Sequence, residues 1–172
     1  GGMLAAELAA RRGERCCGLL TLASNPCFVV RADWPHAMSA STFAEFQAGC
    51  AANPAVCLKR FSVLCAQGSD DARGMARLLA SAAPLALSGP LDQGLQLLAA
   101  LDIRAALQRF AGPQLHLFAA ADALVPAAGA LLALLPDVEI GLVEQLGHTF
   151  MLEHPHEVAA AIQAFLHEAK DD

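Results

Sequence analysis

Two short apolar runs constrain this chain more than any other feature. Cys16 to Ser24 (CCGLLTLAS) and Gln114 to Ala119 (QLHLFA) carry no acidic or basic side chain except His116, and neither alternates cleanly between apolar and polar residues. Cys16 to Ser24 fits a strand buried on both faces, as in a parallel sheet covered by helices, and Gln114 to Ala119 reads as a further strand. Helical periodicity surrounds both runs. Gly1 to Arg12 (GGMLAAELAARR) places Leu4 and Leu8 one turn apart, with Gly13 as a stop. Ala127 to Leu135 reads as a helix ended by Pro136-Asp137, and Val138 to Leu146 as a further strand. Pro155 to Ala169 reads as a last helix, with Val158, Ile162, Phe165 and Leu166 on its buried face and Pro155 suited to its first turn. Helices and strands in alternation give an α/β class.

Between Arg31 and Arg109 the alternation stops. Four helical stripes follow one another: Phe43, Phe46, Cys50; Leu58, Phe61, Cys65; Met75, Leu78, Leu79, Ala82; and Leu95, Leu98, Leu101. Asn53-Pro54, Gly68-Ser69-Asp70 and Ser88-Gly89-Pro90 separate them. The expected organisation is core over 1–30, an inserted helical unit over 31–109 and core again over 110–172.

A net charge of -6 argues against a nucleic-acid partner. The longest apolar stretch, Leu115 to Leu135, is interrupted by Asp122 and Pro126, so no membrane span is expected. The opening residues do not read as a secretory signal, and the expected location is the cytoplasm. None of the six cysteines forms a C-x-x-C pair, so small buried thiols are expected rather than a zinc site or a disulfide framework.

Two residues stand where chemistry collects in such folds, just past the carboxyl ends of strands. Asp122 follows QLHLFA, and His148 follows the next strand after Gly147. Alone, an aspartate in a loop is usually a turn or cap residue, and most histidines are structural or solvated. His36, His116, His154, His156 and His167 are read in that way. Together, Asp122 and His148 fit an acid that fixes the imidazole tautomer of a general base. Their order matches α/β hydrolases, in which the chain runs nucleophile, acid, histidine and the nucleophile sits on a G-x-S-x-G turn. Gly1-Gly2 before MLAAELA resembles the closing glycine of that turn and the helix it feeds. The serine is then expected two residues before Gly1. Ser24 lacks the flanking elbow glycines and precedes a Pro-containing loop, and Ser69 and Ser88 lie in breaks within the helical unit, so none of them replaces it.

GGMLAAELA, LLTLAS, DALVP and LGHTFMLEHPHEV thus resemble the C-terminal portion of an α/β-hydrolase sheet with an inserted helical lid. ASNPCF, ADWP, KRFSVLCAQGSDDAR and LDQGLQLLAALDIRAAL resemble the BioH-type pimeloyl-acyl-carrier-protein methyl ester esterases of biotin synthesis, and this similarity runs through nearly the whole chain. The resemblance implies a carboxylic ester hydrolase working through a Ser-Asp-His triad, with Asp122 as acid and His148 as base. It implies that Phe61 lines the acyl pocket and that Arg60, Arg73 and Arg77 hold the acidic carrier protein. A fourth basic position of the family falls on Val56 here. It implies no metal or organic cofactor, no membrane partner, and a monomer when complete. Charge supports the partner modestly: Lys59, Arg60, Arg73 and Arg77 outnumber Asp70 and Asp71, and Arg73 and Arg77 lie one turn apart. The alternatives are an esterase or lactonase of the same fold with another substrate, and a non-catalytic remnant that keeps a carrier-binding lid.

Overall fold

A computed structural model describes residues 1–82, 91–125 and 128–171. In chain order these form α1 (Gly2–Arg12), β1 (Leu19–Leu22), α2 (Ala40–Ala52), α3 (Pro54–Cys65), α4 (Ala72–Ala82), α5 (Leu91–Ala100), α6 (Arg104–Arg109), β2 (Gln114–Ala119), α7 (Ala128–Leu134), β3 (Glu139–Val143), α8 (Phe150–Glu153) and α9 (Pro155–Asp171). Ser88-Gly89-Pro90 and Pro126 lie outside the described residues.

The three strands pair in parallel in the order β1-β2-β3. Leu19 pairs with Gln114 at one end of the β1–β2 ladder, and Ala119 pairs with Val143 at the other end of β2–β3. All six residues of β2 are buried, the polar Gln114 and His116 included. Side chains alternate across it. Phe118 packs with Met3, Ala6 and Ala9 of α1 and with Ala106 and Leu107 of α6, whereas Leu115 and Leu117 pack with Val158 and Phe165 of α9. β1 and β3 are shorter than the sequence suggests. β1 ends where Ala23 takes a positive φ of 46°, and β3 ends before Gln145, which has a φ of 61°. Both turns break the ladder at the edge where the strands' carboxyl ends lie.

The four stripes fall on α2, α3, α4 and α5, with Leu101 just past the end of α5. Ser39 caps α2 by accepting a hydrogen bond from the Thr42 amide at 3.1 Å, and Asn53 caps α3 in the same way from Val56 at 3.1 Å, with Pro54 in the first turn. This sharp junction folds α3 back on α2 and corrects the expectation of unpaired thiols. Cys50 and Cys57, with Cα atoms 5.0 Å apart, are joined as a disulfide. Cys27 and Cys65 are free and buried. Among the described residues no helix is long and apolar enough to cross a membrane.

The motifs ASNPCF and ADWP fasten the base of this helical segment. The Asn25 Oδ1 accepts from the Trp34 indole N–H at 2.9 Å, and its Nδ2 donates to the His36 carbonyl at 2.7 Å. Cys27 forms a β-bridge with Asp102, so the chain leaving β1 touches the chain returning to α6. Arg104 clamps the same place, 2.6 Å from Asp102 and 2.9 Å from Asp33, with its guanidinium 5.8 Å from the Trp34 ring centroid. The Arg104 guanidinium holds the Asp102 carboxyl down at about 2.

A buried polar chain crosses the sheet. The Thr21 hydroxyl donates to His116 Nδ1 at 2.7 Å, His116 Nε2 donates to Gln114 Oε1 at 3.2 Å, and Gln114 Nε2 donates to the Leu107 and Phe110 carbonyls. Gln114 Oε1 can only accept, so His116 carries its proton on Nε2. Burial holds the His116 ring down at about 4, against 6.5 in an unfolded chain. The unfolded state therefore binds the extra proton first as the pH falls. The neutral ring contributes fully above pH 6.5, and about 2–3 kcal/mol is lost as the pH falls from there to 4. Denaturant unfolding at pH 7 and pH 4.5 is expected to show this loss in the natural chain and a much flatter dependence in His116→Gln.

Candidate active site

The sheet delivers Asp122 and His148 to one edge. The turn after β2 is fixed by backbone bonds from Ala120 N–H to the Val143 carbonyl and from Ala121 N–H to the Leu146 carbonyl, both 2.9 Å. These tie the loop after β2 to the loop after β3. Asp122 Oδ1 accepts from the amides of Leu124 at 2.8 Å and Val125 at 3.1 Å. Its Oδ2 lies 2.9 Å from His148 Nδ1. The Asp122 side chain is 1% exposed and that of His148 27%.

This arrangement dictates a tautomer. The carboxylate already holds two amides and accepts at its second oxygen, so the imidazole proton sits on Nδ1. The Nε2 lone pair has no hydrogen-bond partner among the described residues and is left to take a proton. A base oriented by a buried carboxylate is the geometry that activates a hydroxyl nucleophile. Two nearby groups are unsuited to the nucleophile's role. Burial, reinforced by the Asp122 charge, pushes the Cys65 thiol up to about 11, and a thiol kept protonated is a poor nucleophile. The Ser69 hydroxyl is 2.8 Å from the Thr149 hydroxyl. The start of α1 lies against the carboxyl end of β1, since a Cβ on Gly2 would overlap the Ser24 side chain. The residues leading into α1 therefore arrive on the same edge as His148. A cleft of about 350 Å³ lined by Leu107, Gln114, Leu135, Asp137 and Val138 lies at the opposite ends of the strands and takes no part in this site.

Of the other residues singled out from sequence, Phe61 is half-buried on α3 and packs on Phe46 with ring centroids 5.4 Å apart. Arg60, Arg73 and Arg77 are exposed on α3 and α4, and none of them pairs with a carboxylate among the described residues. Val56 is 44% exposed at the first turn of α3. Sequence reasoning passed over Thr149 and Glu153, which reach the Gly68-Ser69-Asp70 turn from the His148 loop. A hydroxyl next to the histidine and a carboxylate four residues on were the available signal.

Known proteins share both sequence and fold. A pimeloyl-acyl-carrier-protein methyl ester esterase from Aromatoleum aromaticum is 37% identical over 173 residues, an alignment spanning 95% of this chain and 69% of that protein. This chain belongs to the pimeloyl-acyl-carrier-protein methyl ester esterase family. The biotin biosynthesis bifunctional protein BioHC of Cellvibrio japonicus is 39% identical over 167 residues, covering 96% of this chain and 33% of its own length. The chain thus spans about a third of such bifunctional relatives. No family model matches the sequence. Among solved structures, an esterase from Exiguobacterium antarcticum superposes with a TM-score of 0.84 at 17% identity, covering 96% of this chain and 63% of that one. The Bacillus anthracis bromoperoxidase gives 0.72 at 21%, covering 87% and 57%. Both likenesses support the fold, an α/β hydrolase, and the three-stranded parallel sheet here corresponds to its C-terminal portion.

Proposed function

We propose that the full-length protein containing this chain is a serine carboxylesterase that hydrolyses the methyl ester of a pimeloyl group carried on acyl carrier protein, in biotin synthesis. The observation that carries the reading is the 2.9 Å contact between His148 Nδ1 and Asp122 Oδ2 at the carboxyl edge of the sheet. The division into core over 1–30, lid over 31–109 and core over 110–172 belongs to the same proposal.

The chemistry follows from the orientation of the pair. A serine in the residues leading into α1 attacks the ester carbonyl while His148 Nε2 takes its proton. Asp122 stabilises the imidazolium that forms. Collapse of the tetrahedral intermediate expels methanol, which receives the proton from His148, and leaves an acyl-serine. His148 then removes a proton from water, the hydroxide attacks the acyl group, and the serine recovers its proton as the free acid leaves on its carrier. Phe61 offers an apolar wall for the acyl chain. Arg60, Arg73 and Arg77 offer a positive face on an otherwise acidic molecule, to which an acidic carrier is steered. The enzyme acts in the cytoplasm, as a monomer.

The test uses two substrates. With the full-length protein, Arg73→Glu/Arg77→Glu is expected to raise KM for the carrier-linked pimeloyl methyl ester by about tenfold or more, and to leave p-nitrophenyl acetate hydrolysis unchanged. Hydrolysis of small esters with no preference for the carrier-linked one would instead point to another esterase or lactonase. Carrier binding without turnover would point to a non-catalytic docking protein.

A further inference from the structure

The Gly68-Ser69-Asp70 turn between α3 and α4 is docked on both loops of the acid–base pair. A Cβ on Gly68, which has a φ of +84°, would lie 3.0 Å from the Ala121 carbonyl and 3.0 Å from Gly147 Cα. Gly147 meets this turn so closely that its own Cβ would overlap the Gln67 carbonyl. Ala121 and Gly147 immediately precede Asp122 and His148. Polar contacts reinforce this packing. Glu153 Oε1 accepts from the Thr149 hydroxyl at 3.1 Å, and Glu153 Oε2 accepts from the Asp70 amide at 3.0 Å. A hydroxyl has one proton, and Thr149 gives its proton to Glu153. The 2.8 Å contact between Ser69 and Thr149 is therefore a bond that Ser69 donates. The order runs from Ser69 through Thr149 to Glu153, and Glu153 returns to the backbone of the same turn. Thr149 is 3% exposed, so its hydroxyl has no water to substitute for these partners.

We propose that Thr149 and Glu153 are positioning residues that couple the seating of the α3–α4 turn to the orientation of the His148 ring. Thr149 follows His148 directly, so the geometry fixing its side chain also fixes the backbone from which the imidazole projects. When the turn is seated, the Ser69–Thr149–Glu153 chain is closed and His148 faces Asp122. When the turn lifts, Thr149 loses Ser69 and the Glu153 carboxylate loses the Asp70 amide together, and the ring loses its support. The acid–base pair is then assembled only under a seated helical segment. The consequence for turnover rests on the esterase reading, but the coupling itself is a property of the folded chain.

Two readouts on the full-length protein keep the two readings apart. The first is the proton NMR resonance of His148 Nδ1–H, which reports the bond to Asp122 whether or not any ester is hydrolysed. The second is the split between kcat and KM on p-nitrophenyl acetate. Thr149→Val and Glu153→Gln are expected to shift or broaden the Nδ1 proton and to lower kcat about tenfold, with KM held within about twofold. Thr149→Ser, which keeps the hydroxyl, is expected to restore both. Ser69→Ala, a milder change at a partly exposed site, is expected to act in the same direction and guards against a variant that fails to fold. An unchanged Nδ1 resonance in folded Thr149→Val and Glu153→Gln overturns the coupling. A protein that hydrolyses no ester, yet shows the resonance shift, overturns the esterase reading and leaves the coupling standing.

Discussion

In the full-length protein, His148→Ala is expected to lower kcat for ester hydrolysis by about four orders of magnitude, and Asp122→Asn by about three to four. The effects differ in origin. Alanine at 148 removes the imidazole whose free nitrogen would take the nucleophile's proton. Asparagine at 122 keeps the shape but not the acceptor count. Asp122 receives three hydrogen bonds, two from the Leu124 and Val125 amides and one from His148. An amide has a single oxygen and cannot serve all three. If the oxygen stays with the backbone amides, the NH2 group faces Nδ1 and forces the proton to Nε2, the wrong tautomer for a base. If the oxygen turns to His148, two buried amides lose their acceptor at a cost of about 1–3 kcal/mol each. KM is expected to stay nearly constant in both variants, since neither residue holds the carrier. Either variant retaining activity within tenfold of the natural protein on purified enzyme would rule out this assignment.

The second large effect concerns a residue with no side chain. Gly147→Ala is expected to destabilise the protein by about 2–3 kcal/mol, because the new Cβ meets a backbone carbonyl and not the end of a flexible side chain. Gln67 C lies 3.0 Å and Gly68 Cα 3.2 Å from that position, so the whole turn must lift to make room. Activity is expected to fall with stability, since the turn rests on both loops that carry Asp122 and His148. Gly94→Ala provides the contrast. Nothing lies within 4 Å of a Cβ there, and the residue is inside α5. That substitution is expected to stabilise by about 0.5–1 kcal/mol through helix propensity alone. Thermal unfolding of the pair, run side by side, checks both signs, and a neutral Gly147→Ala would mean that the turn yields freely.

Much of this architecture could be read from the chain. The apolar run CCGLLTLAS predicted a strand of a parallel sheet, because a run without alternation has no face to give to water. The position of Asp122 and His148 just past successive strands predicted that they share an edge, since parallel strands bring their carboxyl ends together. Helical stripes predicted α2 to α5, because period and length are local properties. Other features depended on contacts that sequence spacing does not encode. Cys50 and Cys57 read as separate thiols until the Asn53-Pro54 junction folded α3 onto α2. His116 read as an ordinary histidine, although its neighbours Thr21 and Gln114 become a buried polar chain only once β1 and β2 pair. Ser69 and Glu153 are 84 residues apart in number and meet through Thr149. The sequence by itself determined the α/β class, the run of helices between the strands and the placing of Asp122 and His148 just past successive strands, all of which follow from local pattern and order. Only the tertiary structure decided which hydroxyls and glycines press the insertion against that pair, because such contacts depend on where distant loops converge and not on what each segment prefers alone.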